Sequence, residues 1–328
     1  MWPASAGPAG GERHGAGVAS GVRGAAAASA TAGHAGTLRH RVPLSRHTVW
    51  GIGGFADRFF EPADLHDLAA FLAGLPEGEP LLWIGLGSNL LVRDGGVRGT
   101  VISTVRLRAV KHVEPTKLQA ESGAACPRVA RIAARHGLTG CEFLAGIPGS
   151  MGGALAMNAG AFGAETWPAV REVETIDRNG ERRWRPASDY RYGYRIVDGP
   201  REEWFVSCRL VLEPDAQRRA ATRIRELLAE RAATQPTGAR SCGSVFRNPP
   251  GDYAGRLIEA SGLKGHRIGG AVISDKHANF IINDAGARAA DVEALIATVV
   301  EEVERRHGVR LEPEVRIVGE PAGEGTAR

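Results

Sequence analysis

Apolar side chains recur every three or four residues in several segments of the chain, a spacing that is typical of amphipathic helices. The pattern predicts helices at 65–75, where Pro76 ends the segment, and at 127–137, 216–233 and 291–308. The last of these is the clearest, because its valines, leucine and isoleucine form one continuous apolar stripe. A glycine closes this segment, at the position that favours a left-handed end to a helix.

Short apolar runs separated by glycine turns predict strands elsewhere. Residues 80–102, PLLWIGLGSNLLVRDGGVRGTVI, predict three strands in succession, and 172–186 and 204–214 predict further strands. In 309–319, VRLEPEVRIVG, apolar and charged residues alternate. The apolar set is Val309, Leu311, Val315 and Ile317, and the charged set is Arg310, Glu312, Glu314 and Arg316. This alternation predicts one strand with all four charged side chains on the same face.

The order of these elements predicts an α+β protein, and no internal repeat is visible. We divide the chain into small α+β units at 39–105 and 106–214 and a third unit at 215–320. Residues 1–38 are rich in alanine and glycine and lack a leucine-rich apolar core, so we expect a disordered segment and no signal peptide. Residues 321–328 are expected to form a flexible tail.

The positive charge of the chain comes almost entirely from arginine. Only four of the 41 basic residues are lysines, and the formal net charge is +4. The arginines are interleaved with acidic residues and aromatic residues make up only 6% of the chain, so we expect no nucleic-acid partner. Arginine pairs readily with phosphate and carboxylate groups, which favours small anionic ligands.

Neither a membrane segment nor a metal site is expected. No apolar run approaches the roughly 18 residues that span a bilayer, and we expect a cytoplasmic protein. The four cysteines, Cys126, Cys141, Cys208 and Cys242, are widely spaced and form no C-x-x-C motif. We therefore expect buried, reduced thiols.

The first of two glycine-rich loops is GLGSNLL at 85–91. It begins like a dinucleotide-binding fingerprint, but Leu90 stands where the third glycine belongs and a strand follows in place of a helix. Two interpretations remain open. The segment is either a tight hairpin, or a turn whose free backbone N–H groups hold a pyrophosphate together with Ser88 and Asn89.

The second glycine-rich loop is GIPGSMGGALAMNAGAFG at 146–163. Each glycine weakens regular structure, so the segment cannot be helix or strand throughout. Its backbone is left largely uncovered by side chains, and Ser150 and Asn158 are polar residues within it. Two such loops in neighbouring units indicate one extended, flat cofactor that carries phosphate.

Five sequence blocks, in order, resemble the UDP-N-acetylenolpyruvoylglucosamine reductases: GLGSNLLVRDGG, GCEFLAGIPGSMGGALAMNAGAFG, GSVFRNP, SDKHANFIIN and LEPEVR. The resemblance covers roughly 40–320. This family consists of flavoenzymes that make UDP-N-acetylmuramate for peptidoglycan. The resemblance implies that FAD, NADPH and a nucleotide-sugar substrate are the ligands of this protein. It also implies a vanillyl-alcohol-oxidase-type fold, in which 39–105 and 106–214 bind FAD and a smaller α+β domain, 215–320, binds the substrate.

The resemblance assigns the cofactor to both glycine loops. The residues implied are Gly85, Gly87, Ser88, Asn89, Leu90, Gly146, Pro148, Gly149, Ser150, Gly152, Gly153, Asn158 and Gly160. It implies no metal ligand, and we expect a monomer.

Ser244, in SCGSVFRNP, first suggests a nucleophile, but no G-x-S-x-G elbow surrounds it. From the local sequence a serine that stabilises a turn is an open alternative. The resemblance implies that Ser244 is instead a general acid, since a carbanion-like centre is basic enough to take a hydroxyl proton. It also implies that Arg195 binds the enolate carboxylate and that Glu314 stabilises the reacting state or relays the proton.

The resemblance also implies Tyr194, Arg247 and Asn279 as substrate contacts. Glu312 shares the predicted strand face with Glu314, so it remains a rival for the catalytic carboxylate. Judged without the resemblance, Arg195 would be read as a surface charge, and Glu314 could as easily be a solvated surface residue. His277 is expected to be a structural histidine.

Three positions depart from the usual pattern of the family. Val197 stands where a serine is common, Gly51 stands where a basic residue is common, and Phe162 replaces a frequent tyrosine. These departures leave a divergent reductase with a related substrate as an alternative. An FAD-linked oxidase that passes electrons to oxygen, and a non-catalytic protein that binds a nucleotide sugar or flavin, also remain open.

Overall fold

The computed structural model describes residues 35–323 of the chain. Most of the segment predicted to be disordered, 1–38, and most of the predicted tail, 321–328, lie outside the described residues. Strand structure begins at Thr37, slightly earlier than predicted, because the backbone from this residue onward pairs antiparallel with residues 55–61.

The first part of the described chain forms a four-stranded mixed sheet and one helix. Its elements are β1 (Thr37–Pro43), β2 (Phe55–Glu61), α1 (Leu65–Ala73), β3 (Leu81–Ile84), β4 (Leu90–Val92) and β5 (Val97–Ser103). The sheet order is β1-β2-β5-β3, and β5 runs parallel to both of its neighbours. α1 begins after Asp64, whose side chain accepts hydrogen bonds from the backbone N–H groups of His66 and Asp67.

The second part is built on a five-stranded antiparallel sheet. The strands of the second part as a whole are β6 (Val110–Glu114), β7 (Lys117–Glu121), β8 (Leu138–Thr139), β9 (Gly160–Ala161), β10 (Ala164–Glu165), β11 (Val170–Asp177), β12 (Arg182–Pro186), β13 (Arg191–Gly193), β14 (Ile196–Asp198), β15 (Glu203–Val211) and β16 (Glu213–Pro214). Its helices are α2 (Cys126–Arg135) and α3 (Met151–Ala156). The main sheet has the order β12-β11-β15-β7-β6, and α2 and α3 share one apolar core with it.

The third part is mainly helical. It contains α4 (Ala220–Thr234), α5 (Ala254–Ala260), β17 (Arg267–Ile268), β18 (Ala271–Ile273), β19 (Ile281–Asn283), α6 (Ala289–His307) and β20 (Arg316–Val318). α6 buries the predicted apolar stripe and ends at Gly308, whose φ of 67° is left-handed. Within 35–323, no helix has both the length and the apolar character needed to cross a membrane.

The third part is tied to the first by strand pairing and by side chains. β20 pairs in parallel with β4, so the last strand is joined to the strand that follows the first glycine loop. Trp50 is fully buried in the core of the third part, and its Nε1 donates to the carbonyl of Ile281 at 2.8 Å. The carboxylate of Asp94 accepts hydrogen bonds from the backbone at the start of α6. These contacts hold the two parts in a defined arrangement.

The first and second parts share an apolar core and a close backbone contact. The core joins Phe60, Phe71 and Ile102 of the first part to Ile176 and Val206 of the second. Beside it, a Cβ added at Gly123 would overlap the carbonyl oxygen of Thr104 and approach that of Leu107 to 2.7 Å. Only glycine allows this approach of the two backbones.

The predicted helices are confirmed, with small shifts at their ends, as are the strands predicted at 80–102, 172–186 and 204–214. The strand predicted over 309–319 is wrong for most of its length, because only Arg316–Val318 is a strand. Pro313 lacks an N–H group, and the residues around it pair instead with the loop that contains Phe246. The four charged residues therefore do not share one face.

We expect Gly123→Ala to lower the free energy of unfolding by about 1–3 kcal/mol, because the methyl group forces the first and second parts apart. Urea denaturation measures this. The control is Gly74→Ala, where the nearest atoms to an added Cβ are 3.6 Å away and the backbone φ is −89°. Equal stability of the two variants would show that the contact at Gly123 does not constrain the fold.

Candidate active site

Two clefts lie between the parts of the molecule, and both glycine-rich loops line them. The first, which we name the glycine cleft, is lined by residues 81–90, Thr104, Ser122, Ile147, Gly149, Ser150, residues 152–154, Ala156, Met157, Ala159, Trp204, Phe205 and Arg316. Most of the predicted cofactor-binding residues are in this set. They are Gly85, Gly87, Ser88, Asn89, Leu90, Gly149, Ser150, Gly152 and Gly153.

The lining of the glycine cleft fits a flat ligand that carries polar groups. Ser122 Oγ and Trp83 Nε1 are buried, and neither has a hydrogen-bond partner within the described residues. Buried polar atoms are nearly always paired, so these two indicate groups that a bound ligand completes. A Cβ at Gly152 would approach the Cβ of Ser122 to 2.9 Å, so glycine is also needed for the walls to close.

The second cleft, which we name the arginine cleft, brings together the three residues predicted to be catalytic. Arg195, Ser244 and Glu314 come from distant segments, and all three line it. Its volume of about 570 Å³ is within the range of small-molecule sites. Tyr194 also lines it, as do Gly146, Pro148 and Gly160, which we predicted as cofactor-binding residues.

Arg195 is held in an unusual backbone conformation at the tip of the β13–β14 hairpin. Gly193 pairs with Ile196, so Tyr194 and Arg195 form a two-residue turn. Arg195 has a φ of 60°, a left-handed value that costs energy for a residue with a Cβ. Its guanidinium group is 5.1 Å from the centre of the Tyr194 ring and donates to the carbonyl of Gly160 at 3.3 Å. The turn thus directs the guanidinium group into the cleft.

Glu314 is the direct partner of Arg195. The Nε atom of Arg195 donates to Glu314 Oε1 at 2.6 Å, and the side chains are only 16% and 9% exposed respectively. Burial raises the pKa of Glu314 above its ordinary value, and the neighbouring Arg195 lowers it by less. The carboxyl group therefore holds a proton to higher pH than an ordinary glutamate does.

The backbone around Glu314 connects both clefts. Asn89, in the first glycine loop, donates through Nδ2 to the carbonyl of Glu314 at 3.1 Å. On the other side, the N–H group of Glu314 donates to the carbonyl of Val245 at 2.7 Å, next to Ser244. The backbone of Glu314, the residue predicted to be catalytic, is thus fixed between the first glycine loop and the loop that contains Ser244, which we name the serine loop.

The segment after Ser244 is fixed by Asn279. The side chain of Asn279 accepts from the N–H group of Phe246 at 2.9 Å and donates to its carbonyl at 2.8 Å. Its backbone carbonyl accepts from Val245 N–H at 2.9 Å. Ser244 itself is half-buried and follows Gly243, whose φ is 86°. The serine therefore lies at a turn, and the residues that follow it are rigidly paired.

Two family models match the chain. Residues 56–184 match the FAD binding domain, and residues 235–318 match the C-terminal domain of UDP-N-acetylenolpyruvoylglucosamine reductase. The UDP-N-acetylenolpyruvoylglucosamine reductase of Alkalilimnicola ehrlichii is 60% identical over 285 residues, which cover 87% of this chain and 96% of that protein. The chain belongs to the UDP-N-acetylenolpyruvoylglucosamine reductase family. The enzyme of this name from Methylococcus capsulatus is 56% identical over 300 residues, 91% of this chain and 98% of that protein.

A solved structure also shows the fold. The crystal structure of UDP-N-acetylenolpyruvylglucosamine reductase from Thermus caldophilus is 34% identical and covers 86% of this chain and 99% of its own, with a TM-score of 0.74. The predicted α+β fold with a two-part FAD-binding domain is therefore confirmed. As a member of this family, the chain is an FAD-containing oxidoreductase.

Two polar residues predicted as ligand contacts are used within the protein itself. Asn158, predicted to bind the cofactor, lines neither cleft; its amide bonds to Glu165 Oε2 at 2.8 Å, to the carbonyl of Gly193 at 3.1 Å and to Trp167 N–H at 3.0 Å. Asn279, predicted to contact substrate, borders the arginine cleft, but both ends of its amide bond to Phe246. We assign supporting roles to both residues.

The structure separates the two rival glutamates. Glu314 lines the arginine cleft, whereas the side chain of Glu312 is 78% exposed and its carboxylate is 3.9 Å from Arg247 Nη1. Arg247, predicted to contact substrate, lines neither cleft, and its buried Nε has no partner among the described residues. His277 is structural, as expected: its Nδ1 accepts from Asn279 N–H at 3.3 Å, and burial lowers its pKa.

Sequence reasoning missed a cation in the arginine cleft. Arg231 lies on α4, and its Nη1 donates to the carbonyl of Gly146 at 2.5 Å while its Nε donates to Gln235 Oε1 at 3.0 Å. The side chains of Arg231 and Gln235 both line the arginine cleft. In the sequence, Arg231 is one of several arginines on an amphipathic helix, and no local pattern distinguishes it.

The three positions that depart from the family pattern have clear surroundings. Val197 packs against the core of the second part, so it contributes apolar contact at a position where a hydroxyl is common. A Cβ at Gly51 would lie 3.4 Å from Nη1 of Arg240, so a guanidinium group already occupies the adjacent space. The ring of Phe162 lies directly against Gly146 and lines the arginine cleft.

The four cysteines are buried free thiols, as predicted. Burial raises the pKa of each, to about 12 for Cys141, so all four are protonated at neutral pH. Within residues 35–323, no group of three histidine, cysteine, aspartate or glutamate side chains is placed to hold a metal ion.

We expect Asn279→Ala to lower the free energy of unfolding by about 1–3 kcal/mol, because it leaves the buried N–H and C=O groups of Phe246 unpaired. Asn279→Asp keeps only the acceptor and should also destabilise the protein. Amide hydrogen exchange at Val245 and Phe246 should become faster in both variants. Asn179→Ala, at an exposed turn, is the control. Unchanged exchange at Phe246 would contradict the supporting role of Asn279.

Proposed function

We propose that this chain catalyses the NADPH-dependent reduction of the enolpyruvyl ether of UDP-N-acetylglucosamine enolpyruvate, which yields UDP-N-acetylmuramate for peptidoglycan synthesis. The observation that supports this most directly is the presence of Arg195, Ser244 and Glu314 in one cleft that adjoins the glycine cleft. We also propose that 39–105 and 106–214 hold FAD and that 215–320 supplies Ser244 and Glu314.

The two clefts meet at a common set of residues. Ser88, Asn89, Ile147, Met157 and Ala159 line both of them. FAD held in the glycine cleft would supply the hydride for the vinyl group, with NADPH as the source of that hydride. The junction is the place where a ligand in the arginine cleft contacts one in the glycine cleft. We therefore place the reacting groups beside Ser88 and Asn89.

Arg195 is suited to bind the carboxylate of the enolpyruvyl group. When hydride reaches the terminal vinyl carbon, negative charge develops on the adjacent carbon and spreads into that carboxylate. The Nε atom of Arg195 is engaged by Glu314, so its two terminal nitrogens, with long contacts of 3.3 and 3.4 Å to backbone carbonyls, remain to contact the ligand. Preorganised donors of this kind typically contribute about 3–4 kcal/mol to transition-state stabilisation.

Ser244 is the proposed proton donor to the carbon that gains negative charge. A hydroxyl group is a weak acid, but an enolate carbon is basic enough to accept its proton. Glu314, whose raised pKa keeps it protonated to higher pH, is the proposed source that restores the hydroxyl, directly or through water. Glu314 also orients the guanidinium group of Arg195, so it supports both steps.

Arg231 is the proposed contact for ligand phosphate. It is half-buried in the arginine cleft, and among the described residues its hydrogen-bond acceptors are neutral oxygens of Gly146 and Gln235. Burial without a carboxylate partner lowers its pKa and leaves its charge uncompensated. A phosphate of the nucleotide sugar or of NADPH would neutralise it.

The proposed reaction is tested by following the visible flavin absorbance without oxygen. One equivalent of NADPH should bleach the protein-bound flavin, and UDP-N-acetylglucosamine enolpyruvate should then restore the oxidised spectrum rapidly. A bleached flavin that recovers only when air is admitted, with release of peroxide, would indicate an oxidase. Flavin that NADPH cannot reduce would indicate a binding protein.

We expect Ser244→Ala to leave reduction of the flavin by NADPH nearly unchanged and to slow its reoxidation by substrate about 10²–10⁴-fold, because only the second step needs the proton. Anaerobic stopped-flow absorbance measures both steps. Ser241→Ala is the matched control, since Ser241 is in the same loop but does not line the arginine cleft. Equal slowing of both steps would exclude the proposed acid role.

The pH dependence should change in a defined direction when Arg195 is replaced. Arg195 lowers the pKa of Glu314, so its removal should raise that pKa further. We expect the limb of the kcat/KM profile due to Glu314 to move to higher pH in Arg195→Gln and to vanish in Glu314→Gln. Arg191→Gln, on the exposed part of the same hairpin, is the control. A limb that moves to lower pH in Arg195→Gln would contradict the pairing.

A further inference from the structure

The β13–β14 hairpin that carries Arg195 is joined to the rest of the molecule through one backbone atom. Among the described residues, the carbonyl of Gly193 is the backbone atom of 191–198 that bonds outside the hairpin, and its donor is Nδ2 of Asn158 at 3.1 Å. Gly193 immediately precedes the two-residue turn of Tyr194 and Arg195. A hydrogen bond at this point therefore influences the direction in which the turn projects.

The amide group of Asn158 is itself held in one orientation. The residue is fully buried and follows the end of α3. Its Oδ1 accepts from Trp167 N–H at 3.0 Å, and its Nδ2 also donates to Glu165 Oε2 at 2.8 Å. A backbone N–H group can only donate, whereas a carbonyl and a carboxylate accept, so these partners allow no flipped amide. Both amide hydrogens are used within the protein.

The backbone at position 158 also favours asparagine. Its φ is 43°, a left-handed value that asparagine tolerates better than most residues with a Cβ. Glycine would adopt this conformation but has no amide group, and aspartate would supply an acceptor but no donor. Asparagine satisfies the backbone and the bond to Gly193 together.

The same segment contacts the side chain of Arg195. The backbone carbonyl of Asn158 accepts from Arg195 Nη1 at 3.4 Å, and that of Gly160 accepts from Nη2 at 3.3 Å. Met157 and Ala159, on either side of Asn158, line both clefts. The segment that borders the junction of the clefts therefore holds both the hairpin backbone and the guanidinium group.

We propose that Asn158 is a positioning residue for the reaction, which fixes where Arg195 lies in the arginine cleft by holding the carbonyl of Gly193. The proposal rests on the proposed function for the role of Arg195 in binding the enolpyruvyl carboxylate. Asn158 lines neither cleft, so it acts on the substrate only through Arg195.

The test removes the donor to Gly193 and keeps the other requirements of the position. Asn158→Asp tolerates the left-handed backbone and still accepts from Trp167 N–H, but it presents an oxygen to the carbonyl of Gly193 and to the carboxylate of Glu165. In the double variant Asn158→Asp/Glu165→Gln, the new amide donates to the new carboxylate, and the net charge is that of the wild type. The carbonyl of Gly193 still lacks its donor, so the double variant separates positioning from repulsion.

Two measurements on the full-length, flavin-loaded protein follow Arg195. Its Nε–H group donates to the buried Glu314 and should give an arginine side-chain signal in heteronuclear NMR spectra that is absent from Arg195→Gln. We expect this signal to shift or broaden in both variants. In anaerobic stopped-flow experiments, reoxidation of reduced flavin by substrate should slow about 10²-fold in both, because the guanidinium group is misplaced. Reduction by NADPH, which has no enolpyruvyl carboxylate, should slow much less.

Asn179→Asp, the same substitution at an exposed turn, is the matched control and should leave both rates and the NMR signal as in the wild type. An unchanged Arg195 signal in the double variant, wild-type reoxidation in that variant, or equal slowing of both flavin steps would overturn the positioning role. If Asn158→Asp does not fold, the double variant with its balanced charges decides the outcome. The NMR signal needs no substrate. Failure of the wild-type protein to reduce the enolpyruvyl substrate would therefore refute the proposed function and leave this comparison intact.

Discussion

The short segment from Glu312 to Arg316 holds the candidate site together through backbone hydrogen bonds on both sides. On one side, Arg247 N–H donates to the carbonyl of Glu312 at 2.9 Å, and Glu314 N–H donates to that of Val245. On the other side, the backbone carbonyl of Asn89 accepts from Arg316 N–H at 3.1 Å, and the side-chain Nδ2 of Asn89 adds a hydrogen bond to the carbonyl of Glu314. Because backbone bonds of this kind do not depend on long flexible side chains, the carboxylate, the serine loop and the first glycine loop are fixed to one another.

Glu314 lies on this segment, and the segment therefore fixes where Glu314 can pair with Arg195. Burying two charges costs free energy that their attraction recovers only when the geometry is good. Here burial has the larger effect on Glu314, since its pKa is raised despite the adjacent guanidinium group. The pair is therefore weak evidence for fold stability, whereas a carboxyl group whose pKa is raised by burial in a cleft is typical of functional sites.

Much of the fold followed from local patterns in the sequence. The amphipathic helices, including α6 with its closing glycine, needed only their apolar spacing. The two glycine loops were recognisable in the sequence because they contain so many glycines. Few roles other than contact with a ligand explain so much backbone that no side chain covers. The prediction of one strand over 309–319 was wrong for most of its length, because Pro313 interrupts the hydrogen-bond ladder and is paired with Phe246 instead. Period-two alternation shows that a strand is compatible with the sequence, but it does not show which segment pairs with it.

The residues of the candidate site also fall into two groups, those that the sequence indicated and those that only the structure revealed. The resemblance carried by the five ordered motifs indicated Arg195, Ser244 and Glu314 as candidates, and composition favoured anionic ligands, because both properties belong to the chain before it folds. The position of Glu314 in the cleft, the internal hydrogen bonds of Asn158 and Asn279, the cation Arg231 and the stacked Trp83–Trp204 pair became evident only in the tertiary structure. Each of these depends on contact between segments that are distant in the chain, and burial and hydrogen bonding across such contacts are not encoded in any local spacing.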